Sequence, residues 1–148
     1  MTPEEMIDGL NSLIQLDIDA VSAYEQAIKN IDDPIFKARF VDFRGDHQNH
    51  IRELSSMVQK MGGTPPDPSP DFKGFLIQGF TAIRSATGTE GALRAMELNE
   101  KLTNRNYSEA VGWALTPEAK TLVEKNFSDE KVHLEYIQSN LRGMSWRK

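Results

Sequence analysis

The sequence predicts an all-α protein: a four-helix bundle made of two helical hairpins joined by a long crossover. Three observations carry that prediction. Apolar residues recur at three- and four-residue steps over most of the chain. Turns that end in proline cut the periodic stretches near Pro34 and Pro117. A third break, "GGTPPDPSP" at 62–70, sets two glycines and four prolines in nine residues and excludes helix there. Strand-like alternation is absent.

In the first stretch, Met6, Leu10, Leu13, Ile14, Val21, Tyr24 and Ile28 form one stripe, with Thr2 as N-cap and Pro3 in the first turn. Asp33–Pro34 opens a second helix, expected over 34–61, with Phe36, Phe40, Phe43, Leu54, Met57 and Met61 on its apolar face. After the break, Phe72, Phe75, Leu76, Phe80 and Ile83 share a face and predict a short extra helix within the crossover. That face either covers the bundle or serves assembly, so a homo-oligomer is compatible with it. Thr87 and Glu90 have capping-box spacing and open a third long helix, expected to end near 115. Thr116–Pro117 opens a fourth, expected to end near 142. The expected organisation is one domain, 1–148: a hairpin over 2–61, a crossover over 62–87 and a hairpin over 88–142. So long a crossover can run back along the bundle and let helices two and three point the same way.

Composition narrows the function classes. The 148 residues suffice for one core. Cysteine is absent, so there is neither a disulfide framework nor a thiolate site, which fits a reducing, cytoplasmic location. The acidic start, "MTPEEMIDGL", lacks the charged-then-apolar pattern of a signal peptide, and no apolar run has the length of a membrane span. A net charge of −5 without a basic, aromatic-studded stripe argues against a nucleic-acid partner. The basic "RGMSWRK" at the end reads as a solvated tail. No nucleophile-and-base pair and no glycine-rich phosphate loop is present.

The informative residues interrupt the apolar stripes. Asp17 lies among Leu10, Ile14, Val21 and Tyr24; His47 and His50 lie between Phe43 and Leu54. Glu100 lies among Leu93, Met96, Tyr107 and Val111; Glu130 and His133 lie among Val123, Phe127 and Ile137. At 100° per residue each falls near the middle of its face. Asp17, His47 and His50 all stand roughly 21–26 Å along the axis from the first turn, and Glu100, Glu130 and His133 stand at the same distance from the second. Six ionisable groups should therefore meet near the middle of the bundle. Burying unpaired charges costs several kcal/mol each, and a bound cation is the natural compensation.

The two hairpins also echo each other at a shift of 83 residues: Tyr24 falls on Tyr107, Pro34 on Pro117, Asp46 on Asp129 and His50 on His133. Asp17 falls on Glu100 and His47 on Glu130, which suggests an internal repeat.

This pattern resembles the ferritin-like superfamily over nearly the whole chain, and bacterial ferritin-like domains of unassigned function in particular. In the dinuclear carboxylate members two helices each give one Glu and the other two each give Glu-x-x-His. Glu130-Lys-Val-His133 fits that motif, and Glu100 fits a lone Glu. Asp17 takes the other lone position with a shorter side chain, and His47-Gln-Asn-His50 carries His where the motif has Glu. The resemblance implies a metal site built by Asp17, His47, His50, Glu100, Glu130 and His133, with iron as the first expectation and zinc, copper, nickel or manganese as alternatives. A neutral imidazole cannot bridge two ions as a carboxylate does, so one ion or an asymmetric pair is as compatible as a symmetric di-iron centre.

Each assignment has a plainer competitor. For the six groups it is a buried hydrogen-bonded core network, the remnant of a lost site. Asp46 and Asp129, each four residues before a His, are either solvated acids or acceptors that orient that imidazole. Tyr24 and Tyr107 are first of all core tyrosines, with hydroxyls within reach of a ligand carboxylate as the second reading. Glu97 is a flanking alternative to Glu100; Met57, Met61 and Trp113 read as packing. Two functions follow: a metal-binding protein that handles iron, oxygen or peroxide, or a non-enzymatic helical interaction module.

Overall fold

A computed structural model describes residues 1–68 and 88–146, with side chains as far as 144. Among these residues there are four helices: α1 (Pro3–Asn30), α2 (Pro34–Lys60), α3 (Gly88–Val111) and α4 (Pro117–Trp146). The expected crossover helix with Phe72, Phe75, Leu76, Phe80 and Ile83, and the Thr87 cap, lie outside the described residues. No described helix is long and apolar enough to cross a membrane.

Local chemistry sets most helix ends. Thr2 and Glu5 form a reciprocal capping box at the start of α1. At α2, Asp33 Oδ1 accepts from the Ile35 and Phe36 amides at 2.8 and 3.4 Å. Asp33→Ala removes that acceptor and should cost about 1 kcal/mol, read as a lower urea midpoint at unchanged slope. A change within measurement error would show that the cap contributes nothing. At the far end of α2, Gly62 takes a φ of 85°, and the Gly63 amide reaches back to the Val58 carbonyl at 2.9 Å. That is a Schellman turn, which favours glycine at the left-handed position.

Two ends differ from expectation. α3 stops at Val111 rather than near 115, because Gly112 and Trp113 turn tightly onto the Glu109 and Ala110 carbonyls, both at 3.0 Å. α4 runs to Trp146 rather than 142, straight through Gly143. Leu141 is buried and Met144 packs on the same cluster, so packing outweighs the roughly 1 kcal/mol that a helical glycine costs.

Two apolar clusters give the helix directions. One joins Leu10, Leu13 and Ile14 of α1 to Leu54 and Val58 of α2, Tyr107 and Ala110 of α3, and Ala119 and Val123 of α4. The other joins Ala23, Tyr24 and Ala27 to Phe40 and Phe43, Leu93 and Met96, and Ile137 and Leu141. The early part of α1 thus meets the late parts of α2 and α3 and the early part of α4. Both hairpins are antiparallel, α2 and α3 point the same way, and the chain leaves α2 at one end of the bundle and enters α3 at the other. α1 packs on α2 and on α3, α3 packs on α4, and the α2–α4 seam is the slightest of the four. This is the one-crossover bundle. Between its two apolar clusters lies a polar layer.

Candidate metal centre

Asp17, His47, His50, Glu100, Glu130 and His133 are all fully buried in that layer. His47 stands at its centre. Its Nδ1 is 2.7 Å from Asp17 Oδ1 and 3.3 Å from Glu130 Oε1, and its Nε2 is 3.1 Å from Glu100 Oε1. His50 Nδ1 lies 3.1 Å from Asp17 Oδ1 and 3.3 Å from Glu130 Oε1. His133 Nδ1 lies 3.4 Å from Glu100 Oε2 and 3.5 Å from Glu130 Oε2. One ligand atom from each residue gives two overlapping groups, Asp17–His47–His50–Glu130 and His47–Glu100–Glu130–His133, each with its atoms within 4.8 Å of one another. They share His47 and Glu130. Glu97 is half-buried and belongs to neither.

The two flanking acids pair differently from expectation. On the orienting reading, as opposed to that of a solvated acid, Asp46 would serve His50 and Asp129 would serve His133, each on its own helix. Instead Asp46 Oδ2 meets His133 Nε2 and Asp129 Oδ2 meets His50 Nε2, both at 2.8 Å across the α2–α4 seam. Antiparallel register is the reason. It sets 46 level with 133 and 50 level with 129, so each carboxylate faces an imidazole across the seam. Both acids remain partly exposed, as positions on a stripe edge should be.

Tyr24 and Tyr107 are buried core residues, and their hydroxyls do reach the acids. Tyr24 Oη donates to Glu100 Oε1 at 3.0 Å, and Tyr107 Oη donates to Asp17 Oδ2 at 2.5 Å. Each crosses between α1 and α3, because helical side chains lean toward the N-terminus and bring the ring back to the level of the acid. Phe43 stacks on the His133 ring with centroids 4.3 Å apart.

Three polar residues escaped the sequence reading. Thr103 Oγ1 stands 3.3 Å from Glu100 Oε2 and 3.2 Å from Glu130 Oε2. Asn104 Nδ2 donates to the Glu100 and Glu130 carbonyls at 2.7 and 3.0 Å and ties α3 to α4 at the height of the acids. Asn126 is fully buried beside Tyr107, and neither of its amide atoms meets hydrogen-bond geometry. Thr103 was findable, since it follows Glu100 by three residues on the same face. Asn126 interrupts the α4 stripe near Val123 as Glu130 does, but a neutral amide carries less cost and so less signal.

The electrostatics follow from a crowd of charges without water. Burial disfavours every charged form here. For His47 it is outweighed by the Glu130 charge and by hydrogen bonds to Asp17 and Glu100, and the imidazole is raised to about 9. His50 rises to about 11 against burial through Asp129 and Asp17, and His133 to about 12 against burial through Glu100 and Asp46. Burial likewise pushes Asp17 and Glu100 up, but the imidazoles pull both below the usual carboxylate range. Glu130 goes the other way: burial and the Glu100 charge hold it above that range despite His47. Burial and the neighbouring carboxylates push both tyrosines well above 10.

This donor set suits a transition-metal ion. When the Nε2–H of His50 or His133 donates to its aspartate, the inward Nδ1 bears a lone pair and faces carboxylate oxygens. Lone pairs facing one another repel, and only a cation, a proton or a metal ion, relieves that. Glu130 Oε1 and His133 Nδ1 are buried in this space without a hydrogen-bond partner. Imidazole held by an outer carboxylate is also the usual second layer of a metal site. Three imidazoles with three carboxylates suit iron, zinc or copper better than calcium or magnesium.

A family described as a domain of unknown function, DUF2383, matches residues 5–112. The chain belongs to that family. Among solved structures this DUF2383 chain is similar to a crystal structure of ferritin like, diiron-carboxylate proteins from Bacillus anthracis str. Ames. The TM-score is 0.74 and the identity 21%, over 95% of this chain and 99% of that one. At that identity the likeness shows the fold, which is the ferritin-like four-helix bundle. No curated protein matches the chain.

Proposed function

We propose that this DUF2383 chain is a metal-binding protein whose bundle core holds a first-row transition-metal ion, iron before zinc, copper or manganese. The donors are drawn from Asp17, His47, His50, Glu100, Glu130 and His133, which form two overlapping groups. The observation that carries this reading is the pair of orphaned, fully buried atoms, Glu130 Oε1 and His133 Nδ1, among four further buried ligand-type side chains. Asp46 and Asp129 hold two imidazoles with their lone pairs inward. Tyr24 and Tyr107 fix the carboxylates of Glu100 and Asp17. The two apolar clusters keep bulk water from the layer. When bound there, iron would supply electrons for the reduction of dioxygen or peroxide, the redox role proposed for this protein.

The diiron-carboxylate description of the Bacillus anthracis structure supports the class of cofactor. The test is metal content. Protein purified without a histidine tag should carry near-stoichiometric metal by elemental mass spectrometry, and the double variant His50→Ala/His133→Ala should lose it. Oxygen uptake on addition of ferrous iron then separates an oxidase from a passive site. Absence of metal, with an identical melting temperature after chelation and after metal supply, would favour instead a metal-free polar network within a helical interaction module.

A further inference from the structure

We propose that His47 restricts the core to one metal ion at a time, held by Asp17, His47, His50 and Glu130, and that a carboxylate at position 47 opens a second place. This rests on the metal-binding reading above and specifies its stoichiometry and its ligands.

The two donor groups overlap at Glu130 and His47, and these two residues differ in what they can share. Glu130 turns Oε1 toward His47 and His50, at 3.3 Å from each Nδ1, and Oε2 toward His133 Nδ1 at 3.5 Å. A carboxylate has lone pairs on both oxygens, so Glu130 is able to serve both groups. His47 also faces both ways, with Nδ1 toward Asp17 and Nε2 toward Glu100. A neutral imidazole has one lone pair, however, and its other nitrogen carries a hydrogen. Whichever group takes the lone pair, the other receives an N–H, the positive end of a dipole, where a second cation would need a donor.

The existing hydrogen bonds favour the first group; spacing does not separate the two. Separations within the first group are 2.7 Å for Asp17 Oδ1–His47 Nδ1, 3.1 Å for Asp17 Oδ1–His50 Nδ1, and 3.3 Å from Glu130 Oε1 to each Nδ1. Those around Glu100 and His133 are 3.1, 3.4 and 3.5 Å, and donors bound tetrahedrally at about 2.0–2.1 Å lie about 3.3–3.4 Å apart, so both groups are within reach of an ion. With Nδ1 given to the first group, the Nε2–H of His47 donates to Glu100 Oε1 at 3.1 Å, as that of His50 donates to Asp129 at 2.8 Å. Both imidazoles then share one tautomer, each anchored by an outer carboxylate. In the second group the oxygens are already engaged. Tyr24 donates to Glu100 Oε1, and the single Thr103 hydroxyl proton is shared among the Glu100 carbonyl, Glu100 Oε2 and Glu130 Oε2 at 3.1, 3.3 and 3.2 Å. Of the two orphaned atoms, Glu130 Oε1 faces the first group and His133 Nδ1 the second.

The experiment is an anaerobic titration of chelator-stripped, untagged protein with cobalt(II), followed by the visible spectrum and by elemental analysis after desalting. The wild-type chain should take up one ion and His47→Glu two. His133→Ala should keep its single ion with an unchanged spectrum, whereas His50→Ala should lose it. Circular dichroism checks each fold; should His47→Glu not fold, the contrast between His50→Ala and His133→Ala decides alone. Two ions in the wild type, one ion in folded His47→Glu, or loss of the ion in His133→Ala but not in His50→Ala would each overturn the proposal while leaving the metal-binding reading in place. No ion in the wild type would overturn both.

Discussion

Glu100→Ala is expected to destabilise the metal-free protein by about 3–5 kcal/mol, the cost of removing one partner from a buried ionic cluster. The size comes from what is stranded. Glu100 accepts from Tyr24 and stands within 3.1–3.4 Å of His47, Thr103 and His133. Its removal leaves a buried tyrosine hydroxyl without an acceptor and two imidazoles with fewer counter-charges, each a desolvation cost with nothing in return. For a chain of this length the loss corresponds to a melting temperature lower by about 10 °C. Glu53→Ala is the control. Glu53 pairs with Lys125 at 3.1 Å, but both side chains are well exposed, and such pairs contribute about 1 kcal/mol or less. Denaturant unfolding of chelator-treated protein measures both. A loss at Glu100 no larger than that at Glu53 would mean that the buried layer is not an interdependent network.

The sequence pattern itself carries the asymmetry between those two glutamates. Glu100 interrupts an apolar stripe and Glu53 does not, so helical periodicity alone separates a buried acid from a solvated one. Counting residues from the Asp33 and Thr116 turns likewise gave the common height of the polar layer, because an antiparallel hairpin converts sequence distance into depth. The same counting fails between α2 and α4. These helices belong to different hairpins, so no turn fixes their register, and the cross-pairing of Asp46 with His133 and Asp129 with His50 depends on that register. Helix ends were misplaced where packing overrode local propensity, as at Gly143 of α4. Thr103 and Asn104 stayed hidden because neutral polar side chains are ordinary on helices, and only contact with Glu100 and Glu130 gives them meaning.

Metal and pH should act on stability in opposite directions. His47, at about 9, is the first of the three raised imidazoles to lose its proton, ahead of His50 at about 11 and His133 at about 12. An unfolded histidine titrates near 6.5, so between about 6.5 and 9 the folded state binds more protons than the unfolded one, and stability falls as pH rises. This contribution is complete below about 6.5 and is lost through the folded value; for His47 alone it amounts to about 3 kcal/mol. Asp17 and Glu100, held below their usual range, act at the acid end, where stability is lost as pH falls. The metal-free chain should therefore be most stable at mildly acidic pH and lose melting temperature steadily from pH 7 to 9. A metal ion reverses the trend, since it binds the deprotonated nitrogen and releases the proton, and free ion at about 1,000 times its dissociation constant adds about 4 kcal/mol. The gap in melting temperature between metal-loaded and chelated protein should widen with pH, with proton release visible as a dependence of the binding heat on buffer. A gap that stayed constant from pH 6 to 9 would mean that these imidazoles do not exchange protons for metal, and the centre would have to be sought elsewhere.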